Sequence, residues 1–334
     1  MIWQLDLLIL VLVVVCAFGA LFIKDLMGAS IVFGAYSFLM CLIWTGMGAV
    51  DVAFTEAAVG AGVSTVFFVA TIYNTARTIR FDKRDFGLKL LTAIVVIIVG
   101  GFLATAVSDF PDWGDPQAPA NKYVAAYYLT HSMDQTNVPN VVTTTLADYR
   151  AFDTMFETAV VFVAALAIVS LLRRKRRKDE KEPAPIVGNS LVIQYATRYM
   201  VPFMQIFALY VVAHGHHSPG GGFQGGVILG ASLILVSMAF DMKYMLNKLS
   251  EKWVWLLSAI GVLIFCGVGV IALLLGGNFL DYSVLSAILP ATDSVMARSH
   301  SMLFVEIGVA ITVMAGMFSI YSHIASDGKL ETGL

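Results

Sequence analysis

Charge is scarce in this 334-residue chain: Asp, Glu, Lys and Arg make up 13% of it, about half the share usual in a soluble domain. So few charges do not cover a large water-facing surface, which argues against a soluble globular enzyme. Cysteine is scarce as well. Cys16, Cys41 and Cys266 all lie in apolar stretches and show no metal-ligand spacing, so they read as small buried apolar residues. There is no phosphate-binding loop, no Gly-x-Gly-x-x-Gly after a strand, no Cys-x-x-Cys and no nucleophile elbow. Catalytic residues and a cofactor are therefore not expected. The only basic run, Arg173 to Lys178, directly follows an apolar stretch and reads as an orientation anchor, not a nucleic-acid surface.

Hydrophobic residues, by contrast, are 58% of the chain, and its mean hydropathy is +0.81. A hydrocarbon core of ~30 Å takes roughly 20 apolar residues to cross as helix. Nine runs approach that length: Trp3–Ile23, Met27–Ala49, Thr55–Tyr73, Leu88–Val107, Thr154–Leu172, Ala196–Ala213, Phe223–Phe240, Val254–Leu275 and Met302–His323. The expected fold is all-α, a polytopic membrane protein whose main surroundings are the lipid bilayer. The first run has Asp6 where a signal peptide would carry basic residues, so it reads as a span and not as a cleaved leader. With the N-terminus outside, 18 of the 21 Lys and Arg residues fall in inner segments, and only Lys122, Arg150 and Arg298 face out. Nine spans then put the C-terminus inside.

The chain divides into three blocks. Residues 1–82 hold three spans, and residues 83–178 hold two around a long outer loop, Ser108–Asp153. A loop of that length without a span suggests a functional or partner-docked segment, or an ordered cap on the chain's own helices. A charged, Pro-containing inner linker over 179–188 leads to four further spans in 189–334. No internal repeat is evident, which disfavours an inverted-repeat transporter.

An ionisable residue within a span costs about 2.5–3.5 kcal/mol at mid-helix, so each one asks for a reason. Glu56, Glu157 and Glu306 each fall in the first turn or two of a span running inward. Asp51 and Asp153 sit just outside the first two. One reading is that the carboxylates complement positive helix N-termini. The other is an acidic set on the outer side that binds a hard cation and exchanges it for a proton. A second signal is the stretch His214-Gly-His-His-Ser-Pro-Gly-Gly-Gly-Phe-Gln-Gly-Gly226 between spans six and seven. Zinc normally recruits ligands from a second segment, and no other Cys/His cluster exists, so a resident metal is not expected. His214, His216 and His217 suit a proton relay or simple exposure. Pro219 and Gly220, Gly221 and Gly222 suit an irregular backbone that turns sharply and approaches other backbone closely. The small residues of span three, with Gly60 and Ser64 four apart, indicate close packing against neighbours.

These motifs resemble a known family. Thr55-Glu-Ala-Ala-Val-Gly-Ala-Gly62 resembles the signature of the MbhD-like module. Phe110-Pro-Asp-Trp-Gly-Asp-Pro116 with the stretch from Asn140 to Glu157 is similar to the MbhE-like module, and Pro202-Phe-Met-Gln-Ile-Phe207 with His214–Gly226 is similar to MrpB/MnhB. The modules belong to Mrp-type multisubunit sodium/proton antiporters and to related membrane-bound hydrogenases, both relatives of complex I. The resemblance implies a transporter subunit, not an enzyme, in a bacterial or archaeal cytoplasmic membrane. It implies a cation and proton path that includes Glu56 and Glu157, where a sodium ion binds transiently. It further implies antiporter-like large subunits and small helical subunits as partners. One departure matters: the family commonly has Gly just before the second glutamate, and Phe156 stands there, expected to alter its packing or hydration. A redox-driven pump and a scaffold without an ion path remain as rival readings.

Overall fold

The computed structural model describes residues 3–79, 86–112, 114–174, 190–289 and 292–330. The block boundaries at 82, 178 and 188, the 179–188 linker and Trp113 lie outside them. Among the described residues, nine helices are long and apolar enough to cross a membrane. They are α1 (Trp3–Phe22), α2 (Leu26–Gly46), α3 (Val50–Asn74), α4 (Phe86–Val107), α6 (Ala151–Leu172), α7 (Leu191–His214), α8 (Gly222–Phe240), α9 (Glu251–Leu274) and α10 (Ser294–Ala325). A shorter helix, α5 (Ala126–Thr136), lies in the long loop. Residues 78–131 form a compact unit of their own, built on α4. The rest forms the second unit, which carries every site described below.

Two features of the second unit depart from a simple reading of spans. First, α3 is not uniform: Ala57–Val63 is a π-helical segment that begins immediately after Glu56. Such wide turns cluster at functional positions. Second, α10 begins well before its apolar run. Asp293 caps it, its carboxylate accepting from the Met296 N–H at 2.7 Å. The polar residues 294–301 thus join the helix, and Glu306 lies about three turns inside it, not in the first turn or two.

α10 is the axis of the unit. It packs against α9, α8, α6 and α3, and 61% of its apolar window is buried against 6% for α1. Lipid tails are as apolar as leucine, so helix association here depends on close van der Waals packing. Glycine supplies it. A Cβ on Gly222 would collide with the Glu306 carbonyl oxygen, and one on Gly226 would sit 2.7 Å from the Ala310 carbonyl oxygen. Gly261 of α9 does the same against Gly308 and Thr312 of α10. Thr312 Oγ1 then donates across the interface to the Ser258 carbonyl at 3.1 Å.

The part of the long loop that belongs to this unit is ordered and mostly helical. A short helix, Val141–Thr144, runs into a π turn, Thr145–Tyr149, ahead of α6. It is pinned to α10 by an ion pair, with Arg298 Nε 2.7 Å from Asp148 Oδ2, and the guanidinium lies 5.5 Å from the Tyr149 ring centroid. Burial pushes the Asp148 carboxyl up, and Arg298 pulls it part of the way back. Removing one partner of such a pair strands the other charge. Arg298→Ala is expected to cost about 3–5 kcal/mol, read as a lowered thermal midpoint of the purified chain in detergent. Combining Asp148→Asn with Arg298→Gln should recover most of that loss.

Candidate functional site

The site is organised by the turn between α7 and α8. Gly220 and Gly221 have φ of 155° and 138°, values that side chains rarely tolerate. Buried backbone groups need hydrogen-bond partners, and this turn draws on two other parts of the chain. The Gly220 N–H donates to Asp51 Oδ1 at 3.0 Å. Asn140 Nδ2 donates to the Gly215 and Ser218 carbonyls at 3.0 and 3.1 Å. The Asn140 N–H donates to the His216 carbonyl at 2.9 Å, and Thr143 Oγ1 to the Gly215 carbonyl at 2.7 Å. Beside the turn, Gln224 Nε2 donates to Thr55 Oγ1 at 3.0 Å.

These contacts enclose a cavity of about 150 Å³. Asp51 and Thr55 of α3, Thr154 and Glu157 of α6, Thr143, Gly220–Gly222, Gln224 and Glu306 of α10 all line it. Three carboxylates from three spans thus share one space, and none of the lining residues is Lys or Arg. Glu306 is 7% exposed, and its Oε2 has no hydrogen-bond partner. Glu157 is accessible from outside the chain. Like carboxylates in one cavity disfavour joint ionisation unless protons or a cation compensate. Threonine hydroxyls and the Gln224 amide add neutral oxygens, the ligand type that hard cations take.

Not every residue expected in this set reaches it. Asp51, Glu157, Glu306 and Gly220–Gly222 come together. Glu56 does not: it folds back over Gly60 on the α2 side, where Ser37 Oγ also lies. One residue along α3 reverses the face, so Thr55 looks into the cavity and Glu56 away from it. Asp153 is exposed and paired with Arg150 at 2.6 Å. Of the histidines, His214 stacks on Tyr210 at 4.8 Å and tilts toward His217 at 5.5 Å. His216 is buried, and burial with His217 and His300 nearby holds its imidazole below the ordinary range. None of the three lines the cavity, nor does Pro219. Phe156 is 60% exposed, so it points outward and leaves the cavity uncrowded. Sequence reasoning did not single out Asn140 and Thr143 as braces of the turn; the available signal was an Asn directly before a short helical run.

Comparison with known proteins agrees with this architecture. Three family models match in chain order: MbhD, of MBH, over residues 11–77; MbhE, also of MBH, over 90–186; and a domain related to the MnhB subunit of Na+/H+ antiporter over 192–319. A protein of Rhizobium meliloti described as a probable K+/H+ antiporter A/B subunit is 28% identical over 62% of the chain, which spans only 22% of that protein's length. A putative antiporter subunit mnhB2 of Staphylococcus aureus is 31% identical over 39% of the chain and 94% of its own length. The solved Mrp complex from Dietzia sp. DQ12-45-1b contains a chain that superposes on 98% of this one with a TM-score of 0.74 and 26% identity, over 35% of its own length.

The turn makes two measurable predictions. Asp51→Ala removes the acceptor of the Gly220 N–H. A hydrogen bond to a charged group contributes about 1.5–3 kcal/mol, so amide exchange at Gly220 is expected to rise on the order of 10- to 100-fold. Acid should loosen the same turn through His216. Its imidazole takes a proton less readily when packed than when released, so the turn's stability holds above the ordinary pKa of 6.5 and falls as pH drops below it. Amide exchange of residues 215–221, corrected for intrinsic rates, checks this; His216→Asn should abolish the acid sensitivity.

Proposed function

The chain belongs to the family of MnhB-related subunits of Na+/H+ antiporters, and from that premise we propose that it is a non-enzymatic membrane subunit of a multisubunit monovalent-cation/proton antiporter. One observation carries the proposal: carboxylates from α3, α6 and α10 converge on a single cavity that has no basic residue in its lining. Such a set is charge-balanced by either a cation or protons, which is the requirement for exchange. Asp51, Glu157 and Glu306 bind the cation when ionised, and protonation releases it. Glu157, accessible from outside the chain, is the entry group. Glu56 is a separate protonatable station on the α2 face, and the π segment that follows it is where α3 shifts register.

The chain sits in a bacterial or archaeal cytoplasmic membrane with its N-terminus outside, so the cavity opens toward the outer side. Its partners are antiporter-like large subunits and small helical subunits, which supply further proton channels. Glu157→Gln in the assembled complex is expected to lower cation/proton exchange in everted membrane vesicles at least about tenfold while complex assembly stays normal, a change of ~1.4 kcal/mol or more. Undiminished exchange would sink the assignment. Mass spectrometry of the complex purified in mild detergent should show antiporter-like subunits. Co-purified iron–sulfur subunits would move the function to redox-driven pumping.

A further inference from the structure

At the other end of α10, about 25 Å from Glu306 at ~1.5 Å per residue, lies a second buried ionisable pair. His323 in the last turn of α10 is fully enclosed, and Glu251, the first residue of α9, is 3% exposed. His323 Nδ1 stands 2.9 Å from the Ser319 carbonyl oxygen. A carbonyl only accepts, so Nδ1 carries a proton. Nε2 therefore faces the Glu251 carboxylate, 3.5 Å from Oε1. Were both groups unprotonated at that point, two lone pairs would oppose each other in an enclosed space with no hydrogen bond to either atom, the nearest cation being Arg173, 3.4 Å from Oε1.

The surroundings decide where the compensating proton rests. Glu251 occupies a helix N-terminus, which favours a carboxylate, and His323 a helix C-terminus, which favours an imidazolium. Arg173, just after α6, stands 3.4 Å from both carboxylate oxygens, and its side chain is 30% exposed, giving the pair a side open to solvent. Of the other nearby charges, Arg174 and Lys329 both pair with Asp327, two cations on one carboxylate. α3 presents only the neutral Asn74, which donates to the Ile324 carbonyl at 2.8 Å, and α8 the neutral Ser237, which bonds Tyr321.

We propose that Glu251 and His323 form a proton-binding site, with one exchangeable proton held on His323 Nε2 against the Glu251 carboxylate. Loading takes a proton from the adjoining aqueous phase and converts a neutral imidazole to an imidazolium; release returns it by the Arg173 side. The site's use in transport rests on the exchange function proposed above, where it serves as the proton acceptor at the end of the domain opposite the acid cavity.

The test is solid-state NMR of the full chain in its complex, labelled with 15N-histidine and reconstituted in lipid. His323 is assigned by its loss in His323→Gln. In the unmodified chain at about pH 7, Nε2 of the imidazole should carry a proton alongside Nδ1. Glu251→Gln should return it to neutral at the same pH, and Glu251→Asp, which keeps the charge, should not. A neutral His323 in the unmodified chain, or an imidazolium indifferent to Glu251→Gln, overturns the site. In vesicles, Glu251→Gln should move the pH profile of exchange to lower pH by about 1–3 units, the effect of losing an adjacent opposite charge. An unmoved profile overturns its role in transport. A complex that exchanges no cation at all would refute the proposed function, and the NMR result would still stand or fall by itself.

Discussion

A buried turn frees backbone groups that must find partners, and the turn between α7 and α8 meets that demand from elsewhere in the chain. Asp51 takes the Gly220 N–H, and Asn140 and Thr143 cover the carbonyls of Gly215, His216 and Ser218. These are few bonds, but a buried backbone group left unpaired costs about 1–3 kcal/mol. The turn is therefore the point at which the first, second and third parts of the sequence are held in register. Breaking any of the three attachments leaves buried backbone groups unpaired.

The acid cavity is a consequence of that register. Asp51 is both the acceptor for the turn and a wall of the cavity, so the group that builds the site is also one of its charges. Gly222 follows the turn by one residue and fits directly over the Glu306 backbone, which brings α8 and α10 so close that the Glu306 side chain lies beside the turn. Glu157 completes the set from α6. No basic side chain intervenes among the lining residues. Arg150 and Arg298 are nearby in sequence or space, but each is committed to another aspartate, Asp153 and Asp148. On the exchange function proposed above, the electrostatic balance of the cavity is left to mobile charge.

Much of this was legible in the sequence. Long apolar runs show the spans, because a membrane span is specified by composition over some twenty residues, and Glu56, Glu157 and Glu306 stood out because charge in such a run is costly. The glycine-rich stretch announced irregular backbone correctly. What was not legible is which acids meet. Thr55 and Glu56 are adjacent, and a turn of about 100° per residue sends one to the cavity and the other to α2; no pattern along a helix says which neighbour lies on which face. Glu306 was placed too near a helix end because a polar first turn capped by Asp293 is invisible to hydropathy. His323 and Glu251 fell at or just outside the ends of apolar runs, where charges draw no notice, and only the packing of α9 on α10 shows that both are buried.

The two ionisable sites on α10 also differ in what surrounds them, and this bears on which parts move. Between them, Gly226, Gly261 and Gly308 press the backbones of α8, α9 and α10 together, and the buried Thr312 and Ser322 hydroxyls are satisfied by backbone carbonyls. A block packed backbone against backbone resists sliding, because packed interfaces hold discrete arrangements and do not deform continuously. The α3 side is built differently: its segment Ala57–Val63 is π-helical, a wider turn than the α-helix on either side. α10 is the fixed post that keeps the acid cavity at one end and the carboxylate–imidazole pair at the other.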